Sequence, residues 1–232
     1  MQDIAQHWQQ AFPPLLLSLK VATWAIGINL WLGIGFGYLL ARKKFWGREL
    51  LDTLCTLPMV LPPTVLGYYL LVLVGSRSNL GQWLRSHDIQ LIFTWQGAVL
   101  AAVVVSFPLI FKPARAAFEQ VDRQYEAAAK CLGISNAAVF WRITLPLAWR
   151  GILAGILLAF ARALGEFGAT LMVAGSIPHK TQILSTAIYE AVQAGRDGDA
   201  HFLVLVVSLI CLVVLLSVSA LAGGKVPQDG LK

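Results

Sequence analysis

Long apolar stretches, separated by short polar segments, dominate the pattern of residues along this chain. The clearest stretch, residues 202–222, would form a helix of about 31 Å, which is enough to cross the hydrocarbon core of a membrane. The whole pattern predicts five membrane-spanning helices, at about Pro14–Leu40, Leu50–Val74, Gln96–Phe111, Pro146 past Ala163 and as far as Ala174, and Phe202–Ala222. We therefore expect an all-α membrane protein, a single domain over residues 1–232 with its core at about 16–221.

The positions of lysine and arginine indicate the orientation of these helices. Twelve of the 18 basic residues fall on one side of the predicted membrane. They are Arg42, Lys43, Lys44, Arg48, Lys112, Arg115, Arg123, Lys130, Arg142, Arg150, Lys225 and Lys232. Because positive charge marks the cytoplasmic side, we expect the N-terminus outside and the C-terminus in the cytoplasm. On the outer side, residues 181–194 predict an amphipathic helix that ends at Gly195.

Composition narrows the classes of function. The chain is 57% hydrophobic and 13% charged, which is too little charge to cover a soluble domain of this size. The net charge of +6 does not indicate nucleic-acid binding, because the basic residues cluster in the predicted cytoplasmic segments. The three cysteines have neither metal nor disulfide spacing, and the four histidines form no metal-binding motif. We therefore expect membrane lipid around the chain, and no catalytic residue, metal or cofactor.

The longest predicted cytoplasmic segment, residues 112–146, contains two helix signals. Residues Glu119–Lys130 are rich in helix formers, and Gly133 suits the position just after a helix end. A second short helix is predicted over Ala137–Ile143, with Pro146 beginning the next span. The result would be a helix–glycine–helix elbow, residues 119–146, that projects into the cytosol.

The composition of this elbow favours docking to another protein. Three alanines, Ala127–Ala129, leave a flat surface, Glu126 adds a carboxylate, and Phe140 with Trp141 offers an apolar anchor. A cytoplasmic loop can equally fold back on its own helices. The residues alone leave both interpretations open.

The order of residues in the elbow resembles the E-A-A-x3-G-x9-I-x-L-P motif of ABC importer permeases. We assign this motif to Glu126, Ala127, Ala128, Gly133, Ile143, Leu145 and Pro146. In that family the elbow carries the coupling helices, which sit in a cleft of a separate ATPase subunit. The resemblance implies that Glu126, Ala127, Ala128 and Gly133 contact an ATPase here.

Three further stretches resemble the molybdate branch of these permeases, which is related to the sulfate branch. They are TLPMVLPPTVLGYYLL (56–71), WQGAVLAAVVVSFPLI (95–110) and LAFARALGEFGAT (158–170). The resemblance implies a multi-pass protein of the bacterial inner membrane. It also implies a homodimer with two ATPase subunits and a periplasmic oxyanion-binding protein, importing molybdate or tungstate. Sulfate or thiosulfate import is the alternative cargo.

A dianion cannot cross hydrocarbon unaided, so polar groups within the spans are candidates for the pore or gate. They are Pro62, Pro63, Thr64, Ser106, Arg162, Glu166 and Thr170. Adjacent prolines bend a helix. Arg162 and Glu166 are spaced i, i+4 on one helical face, and we favour a structural or gating pair over a direct contact with the anion.

Two other classes of function compete with a permease subunit. A self-sufficient secondary transporter would often show inverted repeats and several buried carboxylates, but no repeat is visible and Glu166 is the one strong membrane carboxylate. A membrane enzyme has little support from the scattered histidines. No G-x-x-x-x-G-K-[ST] loop occurs in the sequence, so ATP hydrolysis is expected on a partner subunit.

Overall fold

The structure, a computed structural model, describes the backbone of residues 2–222 and the side chains of residues 7–220. The described chain is built from α-helices and one π turn. The helices are α1 (Gln2–Arg42), α2 (Arg48–Val60), α3 (Pro63–Val74), α4 (Asn79–Ser86), α5 (Trp95–Gln120), α6 (Arg123–Cys131), α7 (Asn136–Val139), α8 (Leu145–Leu164), α9 (Gly168–Ala174), α10 (Leu184–Gln193) and α11 (Asp197–Ala222). Four helical stretches are long and apolar enough to cross a membrane, and a bent pair, α2 with α3, makes up to five. The predicted all-α membrane fold is therefore confirmed.

Helices α1, α5 and α8 pack closely because small residues line their contacts. A Cβ atom added to Gly33 of α1 would lie 2.7 Å from Ile110 Cγ2 of α5. One added to Gly155 of α8 would lie 2.8 Å from the carbonyl oxygen of Leu109. Glycine at such positions lets helix backbones approach each other. The core of the bundle therefore lies where these three helices meet.

The first span begins earlier than its predicted start at Pro14. His7 lies on the first turns of α1, where its Nδ1 is 2.6 Å from Asp199 Oδ1 at the start of α11. Its ring stacks on Phe202. These contacts extend α1 beyond the apolar stretch from which its start was predicted.

The second predicted span, Leu50–Val74, is not one helix. Helices α2 and α3 meet at an angle of 114°. Leu61 and Pro62, each followed by a proline, have extended backbone angles, as steric contact with a following proline ring favours. Pro63 then occupies the first turn of α3, where its missing N–H breaks no hydrogen bond. The predicted bend is confirmed, but a single spanning helix was wrong.

The fourth predicted span also differs from its prediction. It does not begin at Pro146, because one helical stretch runs from Asn136 to Leu164 through the π turn, Phe140–Thr144. The wider π turn accommodates a proline inside the stretch, since Pro146 has no N–H to donate. The helix ends at Leu164, and α9 follows after a short break. The predicted extension to Ala174 is thus a separate helix.

The helix predicted over 181–194 is confirmed as α10, although it begins three residues later, at Leu184. Gly195 follows it with φ of 67°, a left-handed angle that glycine adopts without strain. The apolar face of α10 packs on α1 and α11, in a cluster that includes Ala11, Leu184 and Leu203. Helix α10 therefore lies against the protein's own bundle.

Charged side chains of the predicted cytoplasmic segments gather at one end of the bundle. Asp52 of α2 lies 2.9 Å from Lys112 Nζ and 2.6 Å from Arg115 Nη1, both on α5. Glu119 lies 2.9 Å from Arg115 Nε. These pairs explain why α5 continues past Phe111, its predicted end, into charged sequence. Lys225 and Lys232, counted among the inner basic residues, lie outside the described residues.

Candidate coupling elbow and gate residues

The elbow consists of α6, a turn at Gly133, α7 and the π turn. Helix α5 runs to Gln120, so the predicted first helix, Glu119–Lys130, is wrong at its start. Asp122 lies between α5 and α6 and caps the start of α6, because its side chain accepts a hydrogen bond of 2.9 Å from the backbone N–H of Gln124. An aspartate in this position is a strong N-cap, and it makes α6 a separate helix.

Gly133 ends α6 as predicted. Its φ is 80°, its N–H donates to Lys130 O, and the N–H of Ile134 donates to Ala129 O. This pair of bonds is the Schellman arrangement at a helix end. A Cβ at Gly133 would meet no atom within 4 Å. The backbone angle, rather than lack of space, therefore calls for glycine.

The sequence suggests that Glu126 offers a free carboxylate to a partner, but in the structure this carboxylate is paired within the chain. Its Oε1 is 2.8 Å from Arg42 Nη2 at the end of α1, and the two side chains are 10% and 9% exposed. The same oxygen accepts a hydrogen bond of 2.8 Å from the hydroxyl of Thr144. Arg42 also donates to the carbonyl oxygen of Val121. Glu126 thus connects α6 to α1 and to the start of α8.

The spacing of the elbow motif agrees with this inward position. Four residues separate Ala128 from Gly133, one more than in E-A-A-x3-G. When the motif is aligned on Gly133, its E-A-A positions fall on Ala127–Ala129. Glu126 then lies one residue before the position that the motif gives to glutamate. From Gly133 onward the x9-I-x-L-P spacing holds.

Phe140 anchors the elbow to its own bundle. Its ring centroid lies 4.8 Å from that of Tyr38 on α1 and 6.0 Å from that of Phe118 on α5. Leu145 packs against the same cluster. The apolar anchor expected for a partner is therefore partly used within the chain, and Trp141 beside it remains exposed.

The outward face of the elbow is small and apolar. Ala127 and Ala128 are exposed, and so are Tyr125 and Leu132, with Leu132 81% exposed. An exposed apolar face on a polar segment makes this part of the elbow a candidate interaction surface. The sequence pattern missed Tyr125 and Leu132, although both interrupt an otherwise polar segment.

The last three motif residues lie at the root of the elbow. Ile143 belongs to the π turn, and Leu145 and Pro146 begin α8. Ile143 and Leu145 are half-buried, whereas Pro146 is exposed. They shape the entry into the span rather than the outward face.

Two helix breaks meet on another side of the bundle. A Cβ added to Gly168, at the start of α9, would lie 3.1 Å from Pro63 Cβ and 3.2 Å from Thr64 N at the start of α3. Pro62 and Thr64 are exposed on the surface of the chain. The structure therefore places Pro63 and Thr64, just after the Leu61–Pro62 break, beside Gly168, just after the Gly165–Phe167 break.

Glu166 holds the second break in place. Its Oε2 is 2.6 Å from Arg162 Nη1, and its Oε1 accepts a hydrogen bond of 2.8 Å from Ala169 N. The Glu166 side chain is 1% exposed, whereas that of Arg162 is 35% exposed. Ser185, just after the start of α10, donates a hydrogen bond to the carbonyl oxygen of Glu166. Glu166 therefore links the end of α8, the start of α9 and helix α10.

The two remaining pore candidates are fully buried. Ser106 lies between α1 and α5, where it accepts a hydrogen bond of 3.0 Å from Asn29 Nδ2 and donates to Ala102 O. Its hydroxyl is thus occupied inside the helix packing. Thr170 is buried on α9, near the two breaks, and within the described residues its hydroxyl has no hydrogen-bond partner.

Two residues that complete these sites escaped the sequence pattern. In the sequence, Arg42 is one of many basic residues, and Thr144 is one threonine in a largely apolar segment. Sequence separation hides both contacts with Glu126. The i, i+4 spacing of Arg162 and Glu166 was visible, and the structure pairs them.

Comparison with known proteins agrees with this architecture. The family described as binding-protein-dependent transport system inner membrane component matches residues 33–224. The molybdenum transport system permease protein ModB of Escherichia coli strain K12 is 45% identical over 216 residues, 91% of this chain and 92% of that protein. ModB of Haemophilus influenzae is 42% identical over 202 residues, 86% and 88% of the two chains. The sulfate transport system permease protein CysT of Escherichia coli strain K12 is 33% identical over 225 residues, 94% and 80%.

Solved structures show the same fold at low sequence identity. A chain of a bacterial alginate ABC transporter, crystallised with an alginate-bound periplasmic protein, superposes with a TM-score of 0.74 at 14% identity, covering 96% of this chain and 81% of that one. A chain of the MetNI methionine ABC transporter in an inward-facing conformation gives a TM-score of 0.63 at 14% identity, with coverage of 92% and 94%. The chain described here belongs to the family of binding-protein-dependent transport system inner membrane components, the permease subunits of ABC importers.

Proposed function

We propose that this chain forms the membrane pathway of an ATP-driven importer of molybdate or tungstate. The observation that carries the proposal is the elbow: an exposed face with Ala127, Ala128 and Leu132 stands on a root packed into the bundle. That arrangement suits a contact that transmits movement from a separate ATPase subunit. We assign ATP hydrolysis to that partner, because the sequence contains no phosphate-binding loop of the Walker type. In this proposal the whole chain is one permease domain, with 119–146 as its coupling elbow.

A second copy of the chain would enclose the pathway. Pro62, Thr64 and Gly165 are exposed on the surface of a single copy, and Arg162 is 35% exposed. A charged side chain facing lipid is costly, whereas a second copy would cover this surface and create a sheltered path. We therefore propose a homodimer that carries two ATPase subunits, one on each elbow.

The two helix breaks supply the moving part of the gate in this proposal. Helix α8 begins next to Thr144 in the elbow and ends next to Arg162 and Glu166. A displacement of the elbow would therefore reach the break before α9 along one helix. The Arg162 guanidinium lies beside the path, and Glu166 restrains it, so that an anion is attracted only weakly. Weak binding suits a pathway that must also release its cargo.

The proposed cargo follows from the relatives. The permeases that are 42–45% identical to this chain are described as molybdenum transport proteins, while sulfate permeases are less similar. Molybdate, tungstate and sulfate are all tetrahedral dianions, so sulfate or thiosulfate remains the second candidate. We assign the choice among them to a periplasmic oxyanion-binding protein that docks on the outer loop 76–95 and on α10.

The proposed orientation places the N-terminus outside and the C-terminus in the cytoplasm of a bacterium. The convergence of Arg42, Arg48, Lys112 and Arg115 at the elbow end of the bundle supports it, because inner segments carry the excess of positive charge. Cysteines placed at Ser76 and Lys44 would test it. A membrane-impermeant thiol reagent added to whole cells should label the first and spare the second, and the reverse pattern would contradict the orientation.

The transport proposal is tested in proteoliposomes that contain the chain, a Walker-type ATPase and an oxyanion-binding protein. Molybdate should accumulate inside against its gradient only when ATP and all three components are present, with tungstate as an effective competitor and sulfate as a weak one. Accumulation driven by the chain alone would contradict the proposal and favour a secondary transporter. Preferential accumulation of sulfate would replace molybdate with the second candidate.

A further inference from the structure

We propose that Arg42 and Thr144 are positioning residues, which lock the coupling helix α6 to the transmembrane bundle by holding the Glu126 carboxylate. The role in transport rests on the function proposed above. The geometric part of the proposal concerns this chain alone. It assigns Glu126 to an internal joint, not to the surface that meets a partner.

The first argument is how little else holds α6 in position. The helix has nine residues, which is too short to be stable alone in water. Only Glu126 and Ala129 among its residues are buried. Ala129 contributes one methyl group to packing. The polar contacts of Glu126 are therefore the principal buried attachment of α6.

The second argument is the number of elements that meet at this carboxylate. Arg42 comes from the last turn of α1, Thr144 from the π turn, and Arg42 also donates a hydrogen bond of 3.0 Å to Val121 O between α5 and α6. One guanidinium thus contacts both the residue before the N-cap of α6 and the carboxylate in the middle of α6. A force applied to α6 would reach α1 and α8 together.

The third argument is the energetic cost of separating the pair. Both side chains are about nine-tenths buried. When one member of a buried ion pair is removed, the other is left as an uncompensated charge, which is strongly unfavourable. The joint should therefore stay closed while the elbow moves, and the elbow should behave as a rigid extension of the bundle.

The test measures the position of α6 directly. Cys55 and Cys211 are replaced by serine, and spin labels are attached to the exposed Cys131 on α6 and to a cysteine introduced by Lys43→Cys just after the end of α1. The distance distribution between the labels is recorded for the chain in nanodiscs, alone and with the ATPase bound. Variants are Arg42→Gln, Glu126→Gln and the exchange Arg42→Glu with Glu126→Arg; Lys44→Gln, at an exposed neighbour, is the matched control.

We expect a narrow distribution for the parent and for Lys44→Gln, and a broad one for Arg42→Gln and Glu126→Gln. The charge exchange should be narrower than either single variant, because it restores an ion pair at the same place. A narrow distribution for Arg42→Gln, or an exchange as broad as the single variants, would overturn the proposal. A parent distribution that broadens when the ATPase binds would also overturn it, since Glu126 would then leave Arg42 for the partner.

Transport provides the second readout. In the reconstituted complex, Arg42→Gln should lower the molybdate imported per ATP hydrolysed by about tenfold, within the usual range of coupling between two sites. The ATPase should still copurify with the variant at the parental ratio, and the exchange should recover part of the loss. Undiminished transport per ATP in Arg42→Gln would overturn the proposal. If the parental complex imports no oxyanion, the proposed function fails, while the distance measurement still decides whether Arg42 holds α6.

Discussion

Two Arg–Glu pairs lie near opposite ends of the helical stretch that continues into α8, and they differ in how they are built. Arg42 and Glu126 come from distant parts of the chain, and both side chains are about nine-tenths buried. Arg162 and Glu166 are neighbours on one helix turn, with Glu166 buried and Arg162 35% exposed. The first pair joins separate elements, whereas the second shapes a break within one local segment.

This difference between the two pairs indicates which interactions hold the elbow and which hold the candidate gate. The elbow pair replaces packing that α6 does not have, since only Glu126 and Ala129 of α6 are buried. When Arg162 is lost, Glu166 keeps a backbone donor, Ala169 N, whereas the loss of Arg42 leaves Glu126 only the hydroxyl of Thr144. We expect the elbow pair to be the more sensitive of the two to substitution.

The largest expected effect is therefore at Arg42. Arg42→Met should lower the free energy of unfolding by about 3–5 kcal/mol, because it leaves Glu126 charged and buried. Arg162→Met should cost only about 1–2 kcal/mol, because a partly exposed arginine contributes less and Glu166 keeps its backbone donor. Reversible unfolding in mixed micelles measures both. Equal losses would remove the distinction between the pairs.

Substitutions at Gly133 test whether the turn of the elbow needs glycine for its backbone angle. A β-branched side chain is strained at φ of 80°, so Gly133→Val should destabilise the turn by about 1–2 kcal/mol. Gly133→Asn should cost less, since asparagine tolerates left-handed angles and no atom lies within 4 Å of the added Cβ. Thermal unfolding and uptake are measured for both.

The two Gly133 variants also separate the backbone from the partner surface. If uptake falls in Gly133→Asn while stability stays near the parental value, the ATPase must approach this exposed backbone closely. If uptake follows stability in both variants, the left-handed angle alone explains the glycine, and the predicted contact at Gly133 is contradicted.

A smaller and local effect is expected for substitutions of Glu166, in the break between α8 and α9. Glu166→Ala removes the acceptor for Ala169 N, which should open the first turn of α9 by about 1 kcal/mol and speed its amide exchange about fivefold. Glu166→Gln keeps an acceptor oxygen and should change exchange less. Hydrogen exchange by mass spectrometry over 166–174 measures both. Equal exchange in the two variants would show that charge, not capping, holds the break.

The sequence predicted much of this fold because membrane spans follow from composition. The apolar stretches located α1, α5 and α11, and turn residues such as Gly133 and Gly195 located helix ends. It could not show that Pro62 and Pro63 turn the chain by 114°, because the proline pattern gives the place of a bend and not its angle. The continuation of the helix through Pro146 was missed, since a π turn has no simple sequence signature.

The candidate site was predictable only where its contacts are local. The i, i+4 spacing is enough to predict the Arg162–Glu166 pair, because both residues lie on one helical face. The sequence suggests that Glu126 is exposed, because its neighbours are typical of an exposed polar helix. The structure instead buries Glu126 beside Arg42, which is remote in sequence. When the motif is aligned on Gly133, its glutamate position falls on Ala127, and Glu126 lies one residue before it. This offset is the sequence signal for an inward Glu126 side chain.

The smallest effect is expected at Thr144, and it tests whether the elbow joint needs all of its parts. Thr144→Val keeps the shape of the fully buried side chain but removes the hydroxyl that donates to Glu126 Oε1. Because Arg42 still neutralises the carboxylate, stability should fall by only about 0.5–1 kcal/mol. Thr144→Ser, which keeps the hydroxyl, serves as the control for the donor. Unfolding measurements on the single variants and on Arg42→Met combined with Thr144→Val would give the coupling between the two donors. A joint that works as one unit predicts non-additive losses, whereas strictly additive losses would mean that the two donors act on Glu126 independently of each other.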